Sequence, residues 1–231
     1  MFAEFEKVMS HSLENLNFLE ALESNVTGKK SGSGIRYTAS FLKRLYGFRL
    51  DDPCFLALIY FWKLSEPNER PLITLLFAVL NDDILAESKD VIHSVEPGQK
   101  VNVDLIEAMI IQFQPNSYSA NTLRSMAQNI ASSWKQAGYI QGKIKNVRSE
   151  PTITYRVACF AFLLAYLRGD RGDYIWNSLP VKALGLPEGK LRELALECAR
   201  KDLMQYQYAG SVTAISFTNL LTKIGIHGNT H

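Results

Sequence analysis

The sequence predicts a mostly α protein with short β ribbons, and three observations carry that prediction. Apolar residues recur at helical spacing through most of the chain, and the strongest helix candidates begin at cap or proline positions. Strand-like alternation is confined to two short stretches, near 139–148 and 203–217, each directly after a helix. With 231 residues, 47% of them hydrophobic, the chain can bury a sizeable core as one large unit or two small ones.

In order, Ser12 to Ser24 places Leu13, Leu16, Phe18, Leu19 and Leu22 along one broad helical face. Gly28 to Gly34 then reads as a flexible basic loop, and a helix resumes over Thr38 to Tyr46 with Phe41, Leu42 and Leu45 inward and Lys43 and Arg44 outward. Two apolar runs follow Pro53 and Pro71, where proline suits a first helical turn. Being apolar on nearly every face, they are expected to be central helices. The Pro97-Gly98 turn within His93 to Lys100 marks an expected boundary, giving a helical N-terminal domain over 1–98 and a second region over 99–231.

Beyond it, Asp104 is expected to cap a helix ending near Phe113, and 115–119 forms a turn. The helix over 121–137 is the most informative. Leu123, Met126, Ala127, Ile130, Ala131, Trp134 and Ala137 fall on one side, opposite Arg124, Ser125, Gln128, Asn129, Ser132, Lys135 and Gln136, with no carboxylate among them. Gly138 suits a left-handed cap, and Tyr139 to Arg148 reads as a ribbon with Lys143 and Lys145 on one face and Ile144 on the other. Helix, glycine and basic ribbon is the order of a winged helix, so the second region is read as winged-helix-like. The order recurs over Glu188 to Asp202, 203–208 and 212–217, the last two joined across Gly210-Ser211, a hairpin signal. The region thus reads as up to two helix-plus-ribbon units, 101–149 and 170–222. Between them, Thr154 to Arg168 is the most apolar helix of the chain.

Charge is more informative by segment than by its total of +2. Residues 25–50 hold six bases and no acid, and 119–149 hold five bases and no acid, whereas 51–110 hold eleven acids and four bases. Phosphates attract cations and base edges bond amides and hydroxyls. Arg124, Gln128, Ser132 and Lys135 are therefore expected to form a ridge for a DNA groove, with Lys143, Lys145 and Arg148 on the flanking backbone. Lys29, Lys30 and Arg36, with Lys43, Arg44 and Arg49 nearby, offer further phosphate contacts.

Other chemistry is not supported. The phosphate-loop pattern ending at Gly28-Lys29 fails, with Glu23 where its first glycine belongs and Lys30 where a Ser or Thr belongs, and Tyr37 stands where a dinucleotide fingerprint after Gly32 and Gly34 needs a third glycine. Asp83, Glu87 and Asp90 align on a helix but read as a solvated face. His11, His93, His227 and His231 are scattered, so no metal, no cofactor and no nucleophile with its base is expected. Tyr206 and Tyr208 could stack on bases, but packing on helices is the expected role. Cys54, Cys159 and Cys198 are widely spaced and read as reduced thiols. No apolar run approaches the ~18 residues of a membrane span, and Glu4, Glu6 and Lys7 do not suit a signal peptide, so a cytoplasmic location without a membrane is expected.

The stretch T-L-R-S-M-A-Q-N-I-A-S-S-W-K-Q-A-G-Y-I over Thr122 to Ile140 resembles winged-helix proteins generally, and is similar to the small helical accessory proteins of BREX-type phage-defence systems. The similarity covers Arg36 to Ile140 in pattern and Thr122 to Ile140 in letters, and the Lys29 to Gly34 loop and the ribbon at 203–217 fall outside it. The resemblance implies a DNA-binding, non-catalytic component of a bacterial defence complex. The expected function is thus nucleic-acid binding, with DNA as partner and without catalysis. The alternative is a protein-interaction scaffold whose acidic 51–110 region and apolar helices meet a partner subunit.

Overall fold

The computed structural model describes residues 2–143, 145–210 and 212–226; Ile144, Ser211, His227 and His231 lie outside the described residues. The fold is mostly helical, with two small antiparallel strand pairs. Helix α1 (Phe2–Ser12) buries Phe5, Val8, Met9 and Ser12, the i, i+3, i+4, i+7 spacing of a core-facing stripe. The helix expected over 12–24 is reduced to α2 (Phe18–Glu23), because Leu16 takes φ of 57°, through which no right-handed helix continues. Helix α3 (Gly32–Tyr46) starts earlier than expected and absorbs Gly32 to Gly34 of the basic loop, since the Ser31 hydroxyl accepts the Gly34 N–H at 3.1 Å and caps it.

Helices α4 (Pro53–Leu64) and α5 (Arg70–Ala78) each carry proline in the first turn and are buried on nearly every side. Helix α6 (Asp83–Ser94) is capped by Asp82, which accepts the Leu85 N–H at 3.0 Å. Helix α7 (Val103–Phe113) is capped by Asn102 and not by Asp104, which lies one residue inside, where its charge favours the helix dipole instead. Helix α8 (Ala120–Gln136) is followed by β1 (Ile140–Gln141) and β2 (Val147–Arg148). The ribbon expected as one strand over 139–148 is therefore itself a hairpin, and Lys143 and Lys145 lie in its turn, not on a strand face. The segment before α7 adds to its outer side: Gly98 N–H donates to Arg148 O at 2.8 Å, Arg148 N–H to Gln99 O at 2.8 Å, and Val101 N–H to Asn146 O at 2.9 Å.

Helix α9 (Tyr155–Leu167) occupies the centre, against α4 and α5 on one side and α10 (Leu179–Lys182) and α11 (Glu188–Arg200) on the other. A 3-10 helix, Gly172–Asn177, leads into α10. The chain closes with β3 (Gln205–Ala209) paired to β4 (Val212–Ser216) and α12 (Thr218–Ile224). Glu69, just before α5, accepts from the Thr154 hydroxyl and from Arg156 Nε at 2.8 Å, which joins the start of α9 to the N-terminal helices. Side chains on both sides of residue 98 belong to one contiguous core. Cys54, Cys159 and Cys198 are free thiols. Among the described residues no helix is long and apolar enough to cross a membrane.

Candidate nucleic-acid interface

Helix α8 is held from below and capped at both ends. The Ser119 hydroxyl accepts the Thr122 N–H at 3.3 Å, and Ala127, Ile130, Ala131 and Trp134 are buried. Trp134 Nε1 donates to the Ser88 hydroxyl at 2.8 Å, which fixes the helix to α6 through a bond that water does not reach. Gly138 ends the helix at φ of +89°, and a Cβ there would press on Pro151 at 3.0 Å, so the reversal into β1 requires glycine. Gly142, at φ of +97°, has the same role in the hairpin turn, where a Cβ would collide with the Lys145 carbonyl oxygen.

The outward side of α8 presents Ser125, Gln128, Asn129, Ser132 and Gln136, all exposed. Its cations have different surroundings. Arg124 Nη1 bonds Asp104 at 2.6 Å and Glu107 at 2.8 Å, both on α7, so its charge is already answered and both contacts hold it protonated. Lys135 is half-buried and reaches Asn146 Oδ1 at 3.4 Å, across the base of the hairpin. Lys143 and Lys145 are exposed in the hairpin turn, and among the described residues neither is in a salt bridge.

Arg148 does not belong with them. It is 6% exposed, its guanidinium donates to the carbonyls of Ile92 at 3.0 Å, Tyr139 and Ser149, and it lies over the Tyr139 ring at 5.2 Å. Burial lowers its pKa, yet an arginine stays charged, and here backbone carbonyls hold that charge. The sequence placed Arg148 outward because it continues the basic run. Its last hydrogen-bonded pair in the hairpin instead turns it under α6 toward His93, whose Nδ1 is 3.4 Å from Arg148 Nη2.

From the basic loop, Lys29 is engaged by Glu4 at 2.7 Å. Burial, the largest single influence, would raise the Glu4 carboxyl, but the bond from Lys29, a backbone hydrogen bond and nearby positive charge together outweigh it and hold the pKa at about 2. Lys30 and Arg36 are exposed. Sequence reasoning set Lys43 near Arg36 but left Ser40 out. Arg36, Ser40 and Lys43 form an i, i+4, i+7 stripe on α3, and the periodicity of that helix would have shown it had its start been placed at Gly32.

Ser40 and the neighbouring Tyr37, Phe41 and Arg44 stand across a cleft from α8. Tyr37, Phe41 and Tyr46 of α3 line one side of a cavity of about 230 Å³, and Asn129, Ser133 and Gln136 of α8 line the other. Tyr37 is 67% exposed and stacks on Phe41 at 6.0 Å, and Arg44 lies over the Phe41 ring while pairing with Asp82. In the second ribbon Tyr206 and Tyr208 are engaged by Arg192, by a hydrogen bond and over the ring respectively.

Among the described residues no three His, Cys, Asp or Glu side chains converge to hold a metal ion, and Asp83, Glu87 and Asp90 run along the outer side of α6. The chain matches no protein-family model, no curated protein and no solved structure.

Proposed function

We propose that the protein is a non-catalytic, cytoplasmic nucleic-acid-binding factor that uses α8 as a recognition helix in duplex DNA. The observation that carries this is the outer side of α8, amide and hydroxyl along its length and free of carboxylate, flanked by cations on two sides. Lys143 and Lys145 stand at the hairpin end, and Arg44 lines the cleft from α3. Amides and hydroxyls suit base edges in a major groove, and cations on both flanks suit the phosphates bordering it. The order α6, paired segment 98–101, α7, α8 and β1–β2 hairpin supports a winged-helix unit, with the hairpin turn as its wing. The likeness of Thr122 to Ile140 to BREX-type accessory proteins adds the setting, a component of a bacterial phage-defence complex. Arg124 takes part only by exchanging Asp104 and Glu107 for a phosphate, and Arg148 acts by holding the hairpin in place.

Fluorescence anisotropy of a labelled DNA duplex tests this reading, with wild type and a Lys143→Glu/Lys145→Glu variant titrated from low to physiological salt. The expected result is wild-type affinity that falls steeply with salt, by about 0.9 in log K per log salt for each phosphate neutralised, and a folded variant at least about tenfold weaker. Equal binding by the two proteins, or none by the wild type at low salt, overturns it.

A further inference from the structure

On α7, Leu105, Ala108, Met109, Gln112 and Phe113 are spaced i, i+3, i+4, i+7 and i+8, and on α6, Glu87, Asp90, Val91 and Ser94 are spaced i, i+3, i+4 and i+7. The two stripes face each other across an open groove of about 640 Å³. Every residue of α7 except Asp104, Glu107 and Gln112 is apolar, yet only Ile106 and Ile110 are fully buried. Leu105 stays 49% exposed and Phe113 41%. An apolar stripe of this length left open, and rimmed by charge, marks an interaction surface more often than a solvated face.

The rim identifies the occupant. Glu87 and Asp90 stand on the α6 wall, with Asp83 one turn before them. Lys89, also on α6 but outside the groove lining, has its amine 3.0 Å from Asp90 and its own side chain largely covered. Asp104 and Glu107 face the other way, toward Arg124. The groove is thus apolar at its floor and negative along one wall.

We infer that the α6–α7 groove docks an amphipathic helix of a partner protein, its apolar face on Leu105, Met109 and Phe113 and its Lys or Arg flank on Glu87 and Asp90. A helix lying in a groove of this kind is read by anchors at i, i+3 or i+4, and i+7, the spacing both walls present. The site stands on α6 and the far side of α7 from Arg124, so it does not depend on the nucleic-acid reading.

The test uses the full chain and two synthetic helical peptides with one apolar Leu face, the polar face all Lys in the first and all Glu in the second, followed by methyl NMR. Expected are shifts confined to the methyls of Leu105, Met109 and Val91 on adding the Lys peptide, with the Glu peptide at least about tenfold weaker. Glu87→Gln/Asp90→Asn weakens the Lys peptide about three- to tenfold, and Leu105→Asp abolishes the shifts while the melting temperature stays near wild type. Equal affinity for both peptides, or shifts centred elsewhere, overturns the inference. So does sedimentation showing that the free protein is a dimer dissolved by Leu105→Asp, since a second copy then fills the groove.

Discussion

Two helix-then-hairpin units occur in this chain, and their charges are spent differently. On α11 the outward charges answer one another: Lys190 pairs with Glu193 at 2.8 Å, and Arg192 with Glu188 at 2.6 Å. Arg192 then reaches over β3 and β4, donating to Tyr206 and Thr213 and pairing with Asp173 at 3.0 Å, with Trp176 and Tyr208 against its plane. That unit is closed on itself. On α8, among the described residues, no salt bridge forms within the helix, and the adjoining hairpin turn carries two lysines outward. Exposed side chains such as Gln128, Ser132, Lys143 and Lys145 keep their hydration and counterions in the free protein and release them to a ligand, so the same order of elements gives a structural clasp in one place and an open surface in the other.

The comparison breaks first at its arginines. Arg148→Ala takes the guanidinium donor from the carbonyls of Ile92 and Ser149 and leaves Tyr139 O with the Ser149 N–H, and is expected to cost about 2–4 kcal/mol in urea unfolding. Arg192→Ala removes a partly exposed clasp and is expected to cost about 1–2 kcal/mol, with faster hydrogen exchange in β3 and β4 and unchanged DNA affinity. Equal losses from the two substitutions would erase the distinction between a buried arginine and a surface clasp.

A pH titration sharpens the same joint. Burial chiefly, and the neighbouring Arg148 charge, lower the His93 pKa from its ordinary value of 6.5, although the hydrogen bond to Ala183 O opposes them. Asp90 also favours the charged ring and Lys89 disfavours it. The unfolded chain therefore takes up this proton more readily than the folded one. The stability is fully present above 6.5 and is lost as pH falls below it. Urea midpoints measured from pH 8 down to 5 should decline across that window, and His93→Gln should flatten the decline. The smallest effects are at the hairpin turn: Lys145→Gln should leave stability within about 0.5 kcal/mol and lower the salt slope of DNA binding by about one, while Lys190→Glu on α11 should change neither.

Periodicity made α4, α5, α8, α9 and α11 legible, because each carries enough apolar residues at helical spacing to override its neighbours. It failed around Leu16 and Gly32, where one positive φ and one serine cap, local events of a single residue, decide where helices stop and start. The candidate site was half legible for a similar reason. Gln128 and Ser132 could be placed outward from spacing alone, whereas Lys143 and Lys145 are exposed because they lie in the hairpin turn and not because they share a strand face. Nothing in the order of residues distinguishes Arg148, which points inward, from Lys145, three residues before it, which points to solvent.

By itself, then, the sequence determined the helical class, the two glycine-reversed ribbons and the acid-free side of α8, since these follow from 3.6-residue periodicity and from which residues tolerate a left-handed backbone. Tertiary structure decided which charges are free. A cation becomes a clasp or a contact according to the carbonyls and carboxylates that other elements bring within about 3 Å of it. Those neighbours, Ile92 for Arg148, Asp104 and Glu107 for Arg124, Glu4 for Lys29, come from distant parts of the chain and meet the cation only when the core closes.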